Sequence, residues 1–268
     1  MRIGVIGLGS IGRRHVGNLL SLGCDIYGWD VSEEARGRAK SEYPAIELFD
    51  EQVQGRDPID AVVIATPYDQ HLERVDLMVR MGMPFFVEKP LGSLEQLPRW
   101  RELAAMDLPI NQVGYQCRFH PKAQAMKLLF PNATHGIFDC VVDMTTWPGV
   151  YGPLWLEASH EIDMALWLGA QPSVSWADGT SAVLSGWSVH IRQRPNTYRR
   201  LWSIGSDEGD DGATVEFRSP EALGAEMYRA EMAHFLECVR EQKPTSVPLA
   251  DGLRVLEVVA QIEAVCQS

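Results

Sequence analysis

Apolar residues in the first part of the chain come in short runs, separated by longer stretches in which they recur every three or four positions. The runs "RIGVIG", "CDIYGWD", "AIELF", "IDAVVIAT", "PFFVE" and "LPINQVGY" have the length of strands and are bounded by Gly, Asp or Pro. Between them, residues 12–22, 32–42, 69–81 and 93–105 carry helical spacing, with Asp or Ser at three of the starts as N-caps. The alternation predicts strand–helix–strand units. "AVVIA" is apolar on both faces, as a parallel strand covered by helices on each side must be.

After residue 116 the pattern changes. "GIFDCVVDMTTW", "SVSWADG", "SAVLSGWSVHIRQ", "YRRLWSIGS" and "ATVEFRS" alternate apolar and polar residues, which predicts an antiparallel sheet with one wetter face. Helical patterns at 160–168, 225–241 and 250–265 are interspersed and then close the chain. No repeat, low-complexity tract or linker intervenes, so the expected division is 1–116 and 117–268. The fold class expected is an α/β doubly wound parallel sheet followed by a second α+β domain with a mainly antiparallel open sheet.

Composition narrows the partners. Of 268 residues 46% are hydrophobic and 22% charged, enough to bury a full core. A formal charge of −12 repels nucleic acid and anionic membranes, so neither is expected as a partner. Cys24, Cys117, Cys140, Cys238 and Cys266 are scattered and lack C-x-x-C spacing, which predicts reduced thiols. The chain begins directly with a strand, and no apolar run reaches membrane-spanning length, so a cytoplasmic location is expected. His15, His120, His135, His190 and His234 make no ligand-like pair, and no metal is expected.

"VIGLGSIGRRH" supplies the first chemistry. Gly7, Gly9 and Gly12 follow a strand and open a helix in the G-x-G-x-x-G order of a Rossmann-like dinucleotide site. Gly7 permits the turn, Gly9 leaves room for a pyrophosphate, and Gly12 lets helix and strand approach, while Ser10 and Ile11 lie in the first helical turn, whose amides face the anion. Asp30 ends the next strand, where its carboxylate meets the adenosine ribose and repels a 2′-phosphate; capping the following helix is its other reading. NAD is therefore the expected cofactor, with NADP kept as the alternative by Arg13 and Arg14.

Ligands of doubly wound sheets sit outside the carboxyl ends of the strands, so Thr66, Pro67, Glu88, Lys89 and Pro90 should line the crevice. A lysine there places an ammonium beside a nicotinamide and a substrate hydroxyl, unless it is a surface residue paired to Glu88. The ordered set "GLGSIGRRH", "ATPYDQH", "VEKPLG", "VGYQCRFHP" and "SHEIDMALWLG" resembles the Gfo/Idh/MocA family of nicotinamide-dependent oxidoreductases over nearly the whole chain. The resemblance implies that Lys89 lies near the reacting carbon and that Pro90 bends the chain, often through a cis peptide. It places His71 at the cofactor pocket and His160 on a helix facing substrate as acid/base, with Asp163 orienting it or touching substrate.

One position departs from the family. Its sugar and polyol dehydrogenases often carry an aspartate four residues before the histidine, where this chain has Leu156; the nearest carboxylate is Glu157. That sets the chain apart from the Lys-Asp-His triad and from an inositol-like substrate. Arg118 either anchors a substrate anion or pairs with an acid. Trp147 and Tyr151, in "TTWPGVYG", suit stacking on a sugar ring or a core role.

The resemblance implies hydride transfer between a nicotinamide and the hydroxyl or keto carbon of a sugar, sugar acid or nucleotide sugar. Imine reduction, internal recycling of NAD, and a non-catalytic dinucleotide-binding role are the alternatives. Trp176, Trp187 and Trp202 on successive strand-like segments suggest an aromatic face through which a homodimer or homotetramer forms.

Overall fold

In the computed structural model, which describes residues 1–49, 59–142, 154–194, 197–206, 212–219 and 224–268, the short apolar runs become a parallel sheet. β1 (Arg2–Ile6), β2 (Asp25–Trp29), β3 (Glu47–Phe49), β4 (Ala61–Ile64), β5 (Phe85–Val87) and β6 (Asn111–Val113) pair in the order β3-β2-β1-β4-β5-β6. Val5 lies beside Gly28 on one side and Val63 on the other. The strand order reverses between β1 and β4, which marks the switch point where ligands bind.

The helices follow their predicted stripes. α1 (Ser10–Ser21) buries Gly12, His15, Val16 and Leu19, and α2 (Glu33–Glu42) is capped by Ser32, whose side chain accepts from the Ala35 amide at 3.2 Å. α3 (His71–Met81) and α4 (Leu97–Ala104) each start later than their apolar spacing predicts, behind a 3₁₀ turn at Tyr68–Gln70 and Leu94–Gln96. Local chemistry explains the second delay. The Ser93 amide donates to Gln96 Oε1 at 3.1 Å, and Pro98 takes an opening position of α4, where it needs no amide hydrogen.

The first unit does not end with β6. It comprises Met1–Gly114 together with Tyr228–Gly252; Tyr115–Met227 and Leu253–Ser268 form the second unit. In α8 (Glu226–Glu241), Met232, Phe235, Leu236 and Val239 join the core formed by Ile3, Val5, Ala61, Val63 and Phe86. The Phe235 ring meets Phe86 edge-on at 6.0 Å. After α8 the Thr245 hydroxyl donates to the Asn111 carbonyl at 2.5 Å, and the Val113 amide to the Val247 carbonyl at 2.9 Å. The division expected at residue 116 thus lies close to the end of the first stretch but misses the returning segment.

In the second unit β7 (His135–Val142), β8 (Val174–Ala177), β9 (Ser181–Leu184), β10 (Trp187–Gln193), β11 (Arg199–Gly205) and β12 (Ala213–Phe217) form a sheet ordered β12-β11-β7-β10-β9-β8. Among the described residues only the β7–β10 pair of this sheet is parallel. α5 (Pro121–Leu129), α6 (Leu154–Glu157), α7 (Ser159–Leu168) and α9 (Leu249–Cys266) are its helices, although α9 begins within the first unit.

α7 packs against β7 and β10. Trp187 stacks on Phe138 at 6.0 Å and Trp202 meets Phe217 at 4.9 Å, and both tryptophans are buried. The expected aromatic outer face is therefore an inner one, since these indoles bury most of their area inside the unit. Trp176 alone of the three is half exposed. The opposite face carries ion pairs: Asp139 meets Arg192 at 2.7 Å and Arg199 at 3.1 Å. Among the described residues no helix is long and apolar enough to cross a membrane.

Candidate functional site

The three glycines of the first loop serve different ends. Gly7 has φ +93°, and a Cβ there would lie 2.5 Å from the Ala65 carbonyl oxygen. A Cβ on Gly12 would come within 1.9 Å of the Gly7 oxygen, so Gly12 is required by the packing of α1 on its own loop. Gly9 is the exception: a Cβ there would meet nothing within 4 Å. Gly9 is also the N-cap of α1, with no side-chain cap and no acidic residue in the first turn. The helix thus presents uncapped amides and the positive end of its dipole to open space, as a diphosphate site requires. Ser10, Ile11 and Gly12 supply that turn.

Asp30 stands at the tip of β2 and accepts hydrogen bonds from the Leu8 amide at 2.7 Å and the Ser32 amide at 2.8 Å. It fastens the glycine loop to the β2 end, and the helix cap is Ser32 instead. Its carboxylate oxygens keep further lone pairs for a ribose diol. Arg13 donates to Glu42 at 2.9 Å and to the Leu8 carbonyl at 3.1 Å, and Arg14 lies 4.6 Å from the centre of the Tyr228 ring. Both arginines are engaged within the first unit, which favours NAD over NADP. At the end of β4, the buried Thr66 hydroxyl has no hydrogen-bond partner among the described residues, as expected of a group that waits for a ligand, and Pro67 beside it is exposed.

At the end of β5, Lys89 is joined to Pro90 by a cis peptide and is partly exposed. Glu88 before it is held by other residues of the first unit. Its carboxylate is buried, with Oε1 2.6 Å from His15 Nε2 on α1 and Oε2 accepting the Lys89 amide at 3.1 Å. Alternation along β5 turns Glu88 to the same side as Phe86, whose ring meets His15 at 5.2 Å. Sequence reasoning missed His15. Its signal was the three-residue spacing from Gly12, which puts both on the sheet-facing side of α1.

His71 lies at the ends of the same strands. Its ring is buried, with Nε2 2.9 Å from the Thr66 carbonyl and Nδ1 3.1 and 3.3 Å from the carbonyls of Pro90 and Leu91. It ties the β4 end to the β5 end. Burial pulls its pKa below the ordinary imidazole value, against the opposing pull of the Thr66, Leu91 and Pro90 carbonyls and of Glu88.

In the second unit, α7 is buried nearly all round and still carries His160, Glu161 and Asp163. His160 Nε2 lies 3.2 Å from Gln116 Nε2, and its ring meets Tyr115 edge-on at 6.0 Å. His160 does not cap its helix; the N-cap is Ala158. Arg118 grips Asp163 through two hydrogen bonds, Nε–Oδ2 at 2.9 Å and a guanidinium nitrogen to Oδ1 at 2.5 Å. That is the pairing reading of Arg118, and it gives Asp163 a structural partner.

Glu161 is likewise held by Arg200, a buried pair that alternation alone did not reveal. Leu156 is buried, and Glu157, its neighbour in α6, is half-buried. Trp147 and Tyr151 lie outside the described residues. Among the described residues no group of three or more His, Cys, Asp or Glu is placed to hold a metal ion.

The family model described as "Oxidoreductase family, NAD-binding Rossmann fold", GFO_IDH_MocA, matches residues 1–115. Over that stretch the chain is similar to the Gfo/Idh/MocA family. Curated relatives that it resembles include the inositol 2-dehydrogenase of Corynebacterium glutamicum, 29% identical over 189 residues, covering 65% of this chain and 56% of the relative. Another is the scyllo-inositol 2-dehydrogenase (NAD(+)) of Bacillus subtilis, 35% identical over 127 residues, covering 45% of this chain and 37% of the relative. The chain spans about half the length of the curated relatives it matches. Among solved structures, apo scyllo-inositol dehydrogenase from Lactobacillus casei is similar with a TM-score of 0.86 at 20% identity, over 100% of this chain and 96% of the other. The same enzyme with bound NAD(H) and scyllo-inositol gives 0.84 at 19% identity, covering 100% of this chain and 97% of the other. These likenesses show a shared fold in both units.

Proposed function

We propose that this protein is an NAD-dependent dehydrogenase that moves hydride between NAD(H) and a hydroxyl-bearing carbon of a sugar or cyclitol. The observation that carries the reading is the first turn of α1, uncapped and open at Gly9, on the same unit as Asp30 and Lys89. Gly7, Gly9, Ser10, Ile11, Gly12 and Asp30 hold the dinucleotide, which when bound supplies the hydride acceptor. Lys89 holds the substrate oxygen by its ammonium. His160 takes the hydroxyl proton on oxidation and returns it on reduction, the acid/base role to which an imidazole is suited. Asp163 and Arg118 brace the helix of His160 and take no part in the chemistry. Buried Leu156 leaves this chain without the acid that precedes the histidine in sugar and polyol dehydrogenases, so Glu157 is the carboxylate we assign to substrate contact.

The reaction is placed in the cytoplasm, and two copies are proposed to pair through the ion-paired face of the second sheet. Light scattering tests the pairing: a monomer at micromolar concentration removes it. The activity is tested by following reduced-nicotinamide absorbance with NAD and a panel of cyclitols, sugars, sugar acids and nucleotide sugars. Substrate-dependent NADH formation, lost in Lys89→Ala and in His160→Ala, supports the assignment. Unchanged turnover in both variants overturns it, and product formed without net NADH would mean that the cofactor is recycled.

A further inference from the structure

Three elements converge on the backbone around Lys89. From Phe85 to Gly92 every residue is buried except Lys89, so the lysine is a single opening in an otherwise closed segment. Its amide donates to Glu88 Oε2 at 3.1 Å, and the other oxygen of that carboxylate lies 2.6 Å from His15 Nε2, on α1. On the other side of Lys89, the carbonyl of the next residue, Pro90, lies 3.1 Å from His71 Nδ1, while Nε2 of that ring reaches the Thr66 carbonyl at 2.9 Å. Room for the carboxylate is made by Gly114, where a Cβ would come within 3.0 Å of Glu88 Oε2.

A buried carboxylate is costly unless it is fully partnered, and an apolar side chain of similar volume would fill the space with less penalty. Glu88 and both histidines are instead polar and buried; Glu88 and His71 reach the backbone at Lys89 and Pro90, and His15 holds Glu88. We propose that His15, acting through Glu88, and His71, acting on the Pro90 carbonyl, are positioning residues that together fix the Lys89–Pro90 turn and so the direction of the lysine ammonium. The inference rests on the reading of Lys89 given above. None of the three touches substrate. Their effect is on orientation, which is worth most in the step where the lysine must meet one oxygen.

The full-length protein and its His71→Phe, His71→Asn and Glu88→Gln variants are compared by amide hydrogen exchange and by turnover of scyllo-inositol with NAD. In His71→Phe and Glu88→Gln the Lys89 amide is expected to exchange about 10-fold faster or more, while peptides from β1 and β10 keep their wild-type rates. With scyllo-inositol turned over, kcat falls about 10- to 100-fold and KM changes less than about 3-fold. His71→Asn places an amide near the Nδ1 position and restores slow exchange at Lys89. Unchanged exchange at Lys89 in both His71→Phe and Glu88→Gln overturns the proposal. So does acceleration spread equally over β1 and β10, or His71→Asn matching His71→Phe. Failure of the Lys89 reading has a separate signature: Lys89→Ala keeps full turnover while the exchange results stand.

Discussion

Gly9 and Gly12 sit in one loop but are glycine for opposite reasons. Gly12 has no space for a Cβ because the protein's own Gly7 oxygen occupies it, whereas Gly9 faces open space and has an ordinary φ of −65°. Gly12→Ala is therefore expected to lower Tm by several degrees or prevent folding, while Gly9→Ala keeps Tm within about 2 °C. The difference appears with ligand: thermal shift on adding NAD persists in the wild type and is lost in Gly9→Ala. If Gly9→Ala is stabilised by NAD as well as the wild type is, the phosphate cradle is misplaced. His71 carries a second prediction. Its folded pKa is pulled below the ordinary value of 6.5, chiefly by burial, so the unfolded chain binds its proton more tightly. The stability this contributes is present above 6.5 and is lost as pH falls through the folded pKa. His120 and His234 shift the same way, again chiefly through burial. Urea midpoints should therefore fall as pH is lowered from about 7 to about 5, with a shallower fall in His71→Asn. An equal fall in both proteins removes His71 as a cause.

Helix α7 shows what a pattern of apolar spacing conveys and what it leaves out. Its existence and limits were legible in "SHEIDMALWLG", and its His160 and Asp163 meet Gln116 and Arg118. The partners were not legible: Arg118 lies 45 positions before Asp163 and Arg200 lies 39 after Glu161, distances over which local sequence carries no pairing information. Strand alternation held more than was taken from it. Phe86 and Glu88 are two apart on the β5 register, so a buried Phe86 already implied an inward Glu88. The pair between Arg118 and Asp163 gives the helix-scale prediction. Arg118→Ala leaves a buried carboxylate uncompensated and should cost about 3–5 kcal/mol by urea unfolding, whereas Arg118→Met with Asp163→Leu recovers most of that loss. A single variant as stable as wild type would mean that Arg118 is available for substrate after all.

At the scale of the molecule, the change of pattern near residue 116 was real, yet a linear cut does not yield a complete domain. Periodicity reports which face of a helix is apolar but not which sheet that face covers. The apolar stripe of α8 was visible in the sequence, and its destination beside β1, β4 and β5 was not. A fragment ending at residue 116 lacks Met232, Phe235, Leu236 and Val239, so Ile3, Val5, Ala61, Val63 and Phe86 lose part of their cover. Each large side chain withdrawn from such a core removes about 1.5–3 kcal/mol of burial, and three or four of them amount to much of a domain's net stability of about 5–15 kcal/mol. The fragment 1–116 is accordingly expected to be aggregated or molten by near-ultraviolet circular dichroism, and to fail to bind NAD. Fusing 228–252 to residue 114 through a short Gly/Ser linker should restore a cooperative urea transition and NAD binding, because it returns those four side chains to the sheet they cover. A shorter fragment that folds cooperatively without α8 would show that the sheet and its own helices suffice, and that the returning helix serves only to tie the chain's end.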